Sequence, residues 1–153
     1  MDTSRAIGAK AESLQSGKFF NRYLLTRTDE REIIDLVIDL NPQLEMEKDE
    51  FGDIRVDTVR EMTANKLGTL LSRAEIKDVI DLYFLAKEGQ DILASIPDAM
   101  KKDGGWEPAV VAMLLQNVDL SQLPDLMIQN VDRKSLSSFV DQLRLELVNR
   151  SLK

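Results

Sequence analysis

The chain changes its hydrophobic period once, and this change constrains the fold more than any other feature. Before the change, Phe19–Thr26 alternates in polarity and Glu32–Leu40 is a β-branched apolar run, patterns that are typical of strands. A short polar link between them predicts a β-hairpin, and Ile54 with Val56 predicts a short third strand. After Thr58, apolar residues recur three and four positions apart, as in helices. The sequence therefore predicts an α+β fold, with a small antiparallel sheet followed by a mostly helical region.

The sheet region is predicted to begin with a helix. Residues 3–16 place their apolar side chains on one stripe, and Gly17 follows as a stop signal. Residues 43–50 are polar and acidic, which predicts a loop. We expect residues 1–57 to form the sheet region with this helix and residues 58–153 to form the helical region, the two packing as one compact unit.

Local signals mark the ends of several helices. Thr58 and Glu61 fit a capping box at the start of the first long helix. The pair Gly104-Gly105 predicts an interruption between helices. Further helices are predicted over Pro108–Gln116 and Ser135–Leu147, where the helical spacing of apolar residues resumes.

The side-chain inventory excludes several kinds of active site. The chain has no cysteine, which rules out disulfides, thiol catalysis and thiolate metal sites. It also has no histidine, which rules out imidazole bases, His-ligated zinc and Ser-His-Asp triads. Any catalysis must use carboxylates, lysines, arginines or hydroxyls, and a hard cation such as Mg²⁺ suits that set of ligands.

Charge and hydropathy bear on partners and location. The net charge of −7 disfavours nucleic-acid binding by bulk charge. No apolar run approaches the roughly 20 residues that span a bilayer. The first residues, Met1–Arg5, lead into no apolar signal-peptide core. We therefore expect a cytoplasmic protein with no membrane partner.

Asp35 is the first candidate for chemistry. In an alternating strand it shares one face with Ile33 and Val37, and a carboxylate among apolar neighbours costs free energy unless something pairs with it. One interpretation is a catalytic carboxylate that ligates a metal or acts as a general base. The other is an aspartate on an edge strand that faces water, because sheet edges tolerate charge.

The second candidate is a block of charged residues in the helical region. Lys66 and Arg73 are seven positions apart and would share a face if one helix continued through both. Asp78 and Asp81 are three apart, which places both carboxylates on one face of a helix, and Lys77 precedes them. Polar residues that border an apolar stripe are also ordinary boundary residues of an amphipathic helix, so this interpretation stays open beside the functional one.

These features resemble a known family when they are taken in order. The segments are Ile34–Asp39, Ile54–Thr58, Lys66–Leu82 and Lys102–Trp106. Together they resemble the AbiEii/AbiGii-type nucleotidyltransferase-like toxins. The resemblance runs from about Phe19 and weakens after Gln116. Its most specific part is the Lys…Arg…Lys-Asp…Asp-Leu pattern of the third segment, whereas a strand aspartate is generic to polymerase-β-like nucleotidyltransferases.

The resemblance implies a metal-dependent transferase site. In that superfamily a sheet presents three carboxylates that hold divalent metal, and Asp35 matches the third. The family's helical block, implied to bind the nucleotide or to buttress the site, corresponds to Lys66, Arg73, Lys77, Asp78 and Asp81. The implied chemistry is nucleotidyl transfer from an NTP with Mg²⁺ as cofactor and pyrophosphate as leaving group. A cognate antitoxin, in a toxin–antitoxin or phage-defence pair, is the implied protein partner.

The chain departs from the family's pattern before Asp35. The other two metal carboxylates follow a Gly-Ser or Gly-Gly signature in the superfamily, and no such signature precedes Asp35. We therefore expect an incomplete nucleotidyltransferase-like fold that is inactive alone, because one carboxylate cannot hold two metals. The chain would be a fragment, the product of a truncated or split gene, or a natural non-catalytic relative.

Two other functions fit the same sequence. The missing signature and the long acidic helical region also suit a non-enzymatic helical module that binds another protein. Homo-oligomerisation through an exposed sheet edge is a further alternative.

Overall fold

A computed structural model of the chain describes residues 8–121, 123 and 129–152. The chain divides into two compact units, Met1–Leu40 and Asn41–Lys153. The first unit contains a three-stranded sheet, and the second contains helices and a short β-hairpin. The α+β class expected from the hydrophobic period is therefore confirmed. The predicted domain boundary after residue 57 remains a prediction.

The first unit is an antiparallel sheet whose strands lie side by side in chain order: β1 (Lys10–Ser16), β2 (Phe20–Arg27) and β3 (Glu30–Val37). The last two strands pair without interruption, from Phe20 opposite Val37 to Arg27 opposite Glu30. Thr28 begins the two-residue turn with φ of 53°, in the left-handed region that such tight turns require. The predicted hairpin is thus confirmed.

Strand β1 takes the place of the predicted N-terminal helix. The prediction over residues 3–16 is wrong for residues 10–16, and residues 3–7 lie outside the described residues. β1 pairs antiparallel with β2, beginning with Lys10 opposite Thr26. The apolar stripe that predicted a helix is short, and pairing with a neighbouring strand outweighs a weak local preference.

A second, separate hairpin opens the second unit: β4 (Asp49–Phe51) pairs with β5 (Ile54–Val56). The short strand at Ile54 and Val56 is therefore present as predicted, but it does not join the three-stranded sheet. The loop predicted over residues 43–50 is wrong at its last two residues, which belong to β4. Gly52 has a φ of 62°, which lets the chain reverse within two residues.

The described part of the second unit continues with five α-helices and one 3₁₀ helix: α1 (Val59–Ser72), α2 (Ile76–Lys87), the 3₁₀ helix (Leu93–Ser95), α3 (Ile96–Lys102), α4 (Pro108–Leu115) and α5 (Arg133–Ser151). The N-cap of α1 is Thr58, whose hydroxyl accepts a hydrogen bond from the Glu61 N–H at 3.2 Å, as predicted. The helices predicted for the last third of the chain are confirmed as α4 and α5. None of the described helices is long and apolar enough to cross a membrane.

The hydrophobic core lies in the second unit. Its fully buried side chains come from all five helices and from Trp106, and the largest are Trp106, Leu67, Leu70, Leu82, Leu115, Leu136 and Leu147. Trp106 follows the glycine pair that separates α3 from α4, and its indole N–H donates to the carbonyl of Leu67 at 2.8 Å. The hydrogen bond ties this turn to the middle of α1.

Candidate functional site

Asp35 lies in the middle of β3, directly opposite Arg22 of β2. The Nε and Nη2 atoms of Arg22 each donate to a different carboxylate oxygen of Asp35, at 2.7 Å in both cases. The guanidinium also lies 5.4 Å from the centre of the Phe20 ring. Its hydrogen bonds to Asp35 raise the pKa of Arg22 above its usual range. Asp35 is thus one half of a bidentate ion pair on the sheet surface.

The surroundings of Asp35 bear on metal binding. Both of its carboxylate oxygens already accept hydrogen bonds from a cation. Within residues 8–121, 123 and 129–152, no group of three or more carboxylates lies close enough to hold a metal ion. Two-metal phosphoryl transfer needs several carboxylates that converge on the ions. The described residues therefore do not fit such a centre, and a metal-ligating role for Asp35 remains a prediction.

The five helical candidates lie in the second unit, around the corner between α1 and α2. Helix α1 ends at Ser72, and Ala74 has φ of 44°, so the helical conformation is interrupted there. Lys66 and Arg73 therefore do not lie along one continuous helix. They meet instead through Asp78 in the first turn of α2: Arg73 donates from Nε and Nη2 at 2.8 and 2.9 Å, and Lys66 donates from Nζ at 3.4 Å.

The carboxylate of Asp78 is fully buried. Burial opposes its ionisation, but the hydrogen bonds and charges of Arg73 and Lys66 outweigh burial, so the pKa of Asp78 lies below its usual value. Asp81, about half exposed, forms an ion pair with the ammonium of Lys66. Both aspartates thus contact the same lysine, as expected for residues three apart on a helix. The cluster brings together two cations and two anions, which leaves it close to neutral.

Lys77 takes a different position from the other four candidates. Its Nζ lies 3.0 Å from a carboxylate oxygen of Glu75, the N-cap residue of α2, and both side chains are about half exposed. Ion pairs between exposed side chains contribute little to stability. Lys77 is thus the candidate whose charge is most accessible to solvent.

Sequence reasoning missed a second buried ionic cluster, which is centred on Glu61 of α1. The side chain of Glu61 is fully buried and is ion-paired with the nearly buried Lys102 of α3. Its other oxygen accepts from the backbone N–H groups of Leu44 and Glu45, at 2.9 and 3.2 Å, and lies 3.6 Å from Nζ of Lys48. The capping box pointed to Glu61 for a local role, but no spacing rule links it to a lysine 41 positions later.

Glu61 therefore joins three parts of the second unit. Burial opposes its ionisation, but the hydrogen bonds from Lys102, Leu44 and Glu45 outweigh burial and hold the pKa of Glu61 below its ordinary value. One residue earlier, Arg60 donates to both oxygens of Asp98 on α3, at 2.6 and 2.9 Å. These contacts fix α3 and the segment before β4 against the first turn of α1.

The chain was compared with models of known protein families. The family described as "Nucleotidyl transferase AbiEii toxin, Type IV TA system" matches residues 21–151. The chain belongs to this family. The match includes β3 with Asp35 and the whole corner between α1 and α2, and it confirms the resemblance found in the sequence. No curated protein and no solved structure matched the chain.

Membership of the AbiEii family relates the chain to type IV toxin–antitoxin systems and implies an antitoxin as a partner. The family name refers to nucleotidyl transfer, and the positions of the candidate residues bear on that activity in different ways. Asp35 is held by an arginine, Asp78 is buried within an ion cluster, and Lys77 lies near the surface. Their roles in binding or catalysis remain predictions.

Proposed function

We propose that this chain is a truncated or degenerate nucleotidyltransferase-like relative of the AbiEii toxins that does not transfer nucleotides by itself. It would act in the cytoplasm as the toxin-related partner of an antitoxin, in a system that contributes to phage defence. The observation that carries the proposal is the bidentate ion pair between Arg22 and Asp35. The family match over residues 21–151 supplies the relationship to toxin–antitoxin systems.

The ion pair argues against a metal at Asp35 for an electrostatic reason. A divalent cation at this carboxylate would have to displace the two hydrogen bonds of Arg22 and would then lie beside a guanidinium of like charge. Other carboxylates that converge on the same ion would offset that repulsion. The sequence has no Gly-Ser or Gly-Gly signature before Asp35 to supply them, so transfer would need carboxylates from another polypeptide segment.

The helical candidates support the same proposal. A triphosphate is bound by cations that are not already neutralised, as in phosphoryl-transfer sites. Arg73 donates to Asp78, and Lys66 contacts both Asp78 and Asp81. We infer that these four residues fix the corner between α1 and α2. Lys77 is also paired, with Glu75, but both side chains are about half exposed, so Lys77 is the cation among the five that an NTP with its Mg²⁺ could reach most easily.

A labelled-nucleotide assay tests the proposal. The purified chain is incubated with Mg²⁺ or Mn²⁺, each of the four α-³²P-labelled NTPs, and total RNA or protein as acceptor. We expect the label incorporated by the wild type to stay at the level of a protein-free blank and to equal that of Asp35→Ala. Asp29→Ala, which changes an exposed aspartate in the turn of the same hairpin, is the matched control. Incorporation by the wild type and by Asp29→Ala that is lost in Asp35→Ala would overturn the proposal.

The internal neutralisation of Lys66 and Arg73 also favours a second candidate, a non-enzymatic module that binds another protein. Calorimetric titration with Mg²⁺ and each NTP separates this function from a nucleotide-dependent one. The interaction module predicts no Mg²⁺-dependent heat with any NTP. Binding of an NTP that disappears in Asp35→Ala would count against the module and would favour a residual transferase site.

A further inference from the structure

Strand β3 forms one edge of the three-stranded sheet, because the strand order places β2 on its other side. All eight of its residues are exposed. Large apolar side chains project from both of its faces and from the residues just after it: Ile33, Ile34, Leu36, Val37, Ile38 and Leu40. An edge strand with exposed apolar side chains is a template for pairing with another strand, and natural proteins normally limit such pairing with charge, proline or a covering element. Four of the eight residues of β3 are charged, Glu30, Arg31, Glu32 and Asp35, so the charges restrict which strand can pair with it.

The direction of the backbone groups can be read from one hydrogen bond. The N–H of Ile38 donates to the carbonyl of Phe19, towards β2, at 2.9 Å. Backbone groups alternate in direction along a strand, and the pairing of β2 with β3 is uninterrupted. The N–H and C=O groups of Arg31, Ile33, Asp35 and Val37 therefore point away from β2, towards the edge. Any strand that adds to β3 must hydrogen-bond with these four residues.

The charges along the edge are self-complementary. Arg31 and Asp35 lie two positions on either side of Ile33, and all three side chains project from the same face. An antiparallel copy of β3 that places Ile33 opposite its own counterpart also places Arg31 opposite Asp35 of the other copy, twice. Opposite charges in directly facing pairs stabilise a sheet, and each hydrogen-bonded pair exchanges two backbone bonds.

Other antiparallel registers between two copies of β3 do not pair Arg31 with Asp35. A slip that brings Ile34 opposite Ile34 of the other copy sets Arg31 against Val37 and Asp35 against Ile33. A slip in the other direction sets Glu32 against Glu32, and a longer slip sets Asp35 against Asp35. Like charges that face each other directly destabilise a sheet. Only the register centred on Ile33 combines an apolar pair at the centre with opposite charges on both sides.

We propose that two copies of this chain associate through β3, antiparallel and with Ile33 on the two-fold axis, to form one continuous sheet of six strands. Such an interface is isologous, since the same residues are used by both copies. Asp35 then accepts from Arg22 of its own chain and from Arg31 of the other, which a carboxylate with two oxygens can do. The strand that pairs with this edge thus comes from a second copy of the chain.

A cysteine cross-linking experiment tests the register directly. The chain has no cysteine, so single substitutions give an unambiguous signal. In the proposed register the two positions 33 form a hydrogen-bonded pair with Cα atoms about 5.5 Å apart, within the range of a disulfide. We expect Ile33→Cys to yield a disulfide-linked dimer under mild oxidation. Leu36→Cys is the control, because it is similarly exposed, 55% against 57%, but its counterpart would lie about 20 Å away.

Light scattering on the unmodified protein gives a second readout. We expect a concentration-dependent rise above the monomer mass of 17.3 kDa. Arg31→Glu, which faces Asp35 of the other copy with a like charge at two symmetric places, should raise the dissociation constant about tenfold. Lys10→Glu makes the same change of charge on β1, at the opposite edge of the sheet, and should leave the dissociation constant within about twofold.

Three results would overturn the proposal. The first is a mass that stays at the monomer value up to the highest soluble concentration. The second is equal cross-linking of Ile33→Cys and Leu36→Cys, which would indicate collision rather than a defined register. The third is a dimer that Lys10→Glu weakens as much as Arg31→Glu. Circular dichroism of each variant shows whether its sheet is intact, and the Ile33→Cys result needs no change to any charged residue.

Discussion

Asp78 is the candidate site residue whose side chain is most removed from water. Its carboxylate is fully buried, and its charge is balanced by Lys66 from the middle of α1 and by Arg73 just after the end of α1. A buried charge that keeps its partners is tolerated, whereas a buried partner left alone is strongly unfavourable. At the scale of a single residue, Asp78 therefore acts mainly on the stability of the corner between α1 and α2.

Replacing Asp78 should cost far more stability than replacing Asp81. Asp78→Ala removes the bidentate partner of Arg73 and opens a small polar cavity, but Arg73 and Lys66 are partly exposed and can be hydrated, so we expect a loss of about 2 kcal/mol in the free energy of unfolding. Asp81→Ala removes a half-exposed partner of Lys66 and should cost less than about 1 kcal/mol. Urea unfolding followed by the fluorescence of Trp106 measures both variants.

A loss of equal size in the two variants would contradict the role assigned to Asp78. The comparison also bears on nucleotide binding. If Asp81, like Asp78, acts only on the stability of the corner, then Asp81→Ala, which remains folded, should leave any NTP affinity unchanged within about twofold.

At the scale of elements, the first turn of α1 organises the second unit. Thr58 caps the helix locally, as its sequence pattern predicts. Glu61 does not close the capping box with its side chain; it contacts Lys102 of α3 and the backbone of Leu44 and Glu45. These tertiary contacts are favoured over the local one because a buried carboxylate needs several hydrogen-bond donors. Two peptide N–H groups and an ammonium donate more hydrogen bonds than the single N–H group at the N-cap would.

The Glu61 cluster should make stability depend on pH in the acid range. In the folded chain the pKa of Glu61 lies below its ordinary value of 4.5. The ionised form therefore stabilises the fold fully above the unfolded-state pKa, and this contribution is lost as pH falls through the lower, folded-state pKa. The pKa values of Asp78 and Asp98 are likewise below their ordinary values in the folded chain. We expect the free energy of unfolding to decrease steadily from about pH 5 downwards.

Glu61→Gln tests the contribution of this one carboxylate. The variant should be less stable than the wild type at pH 7, because Lys102 loses its ion pair inside the protein. Its free energy of unfolding should also fall less steeply below about pH 5, because one of the depressed carboxylates has been removed. The exposed Glu47→Gln serves as the control, and urea unfolding at a series of pH values is the measurement. If the free energy of unfolding fell with decreasing pH as steeply in Glu61→Gln as in the wild type, the ionisation of Glu61 would not contribute to the pH dependence.

At the scale of the whole molecule, the apolar core belongs to one of the two units. Every buried hydrophobic residue among those described lies between Ala64 and Leu147. The three strands of the first unit have only exposed or partly buried residues. Burial of apolar surface is the main force that stabilises a fold, so the second unit contains most of what stabilises this chain.

We therefore expect residues 41–153 to fold without the first unit. A chain shortened to these residues keeps the whole helical core, including Trp106 and the cluster around Glu61. Its free energy of urea unfolding should match that of the full chain within about 1 kcal/mol, when both are followed by Trp106 fluorescence. A shortened chain that fails to unfold cooperatively would show that the core depends on residues 1–40.

Much of the fold could be predicted because it follows from local periodicity. The hairpin of β2 and β3 and the helices α1, α4 and α5 each have a hydrophobic pattern or a capping signal that can be read locally. β1 was predicted wrongly because its residues have a weak pattern and become a strand through pairing with β2. The separation of β5 from the main sheet likewise depends on which strand it pairs with.

The sequence predicted which residues belong to the candidate site better than it predicted which of them contact each other. The order of Asp35 and the Lys66–Leu82 block identified the AbiEii family, which the match over residues 21–151 confirms. The pairing of Asp35 with Arg22 depends on register across the hairpin, which a turn of different length would change. The Glu61–Lys102 pair joins residues that are distant in the chain, and no local pattern records such a contact.

The sequence by itself thus determined the α+β class, most helix positions, the family and the absence of thiol and imidazole chemistry, because these depend on composition, periodicity and order along the chain. Only the tertiary structure decided how the charges are satisfied. It paired Asp35 with Arg22, buried Asp78 between Arg73 and Lys66, and placed Glu61 beside Lys102. The physical reason is that ionic interactions depend on distance and burial, which are set by how the strands and helices pack.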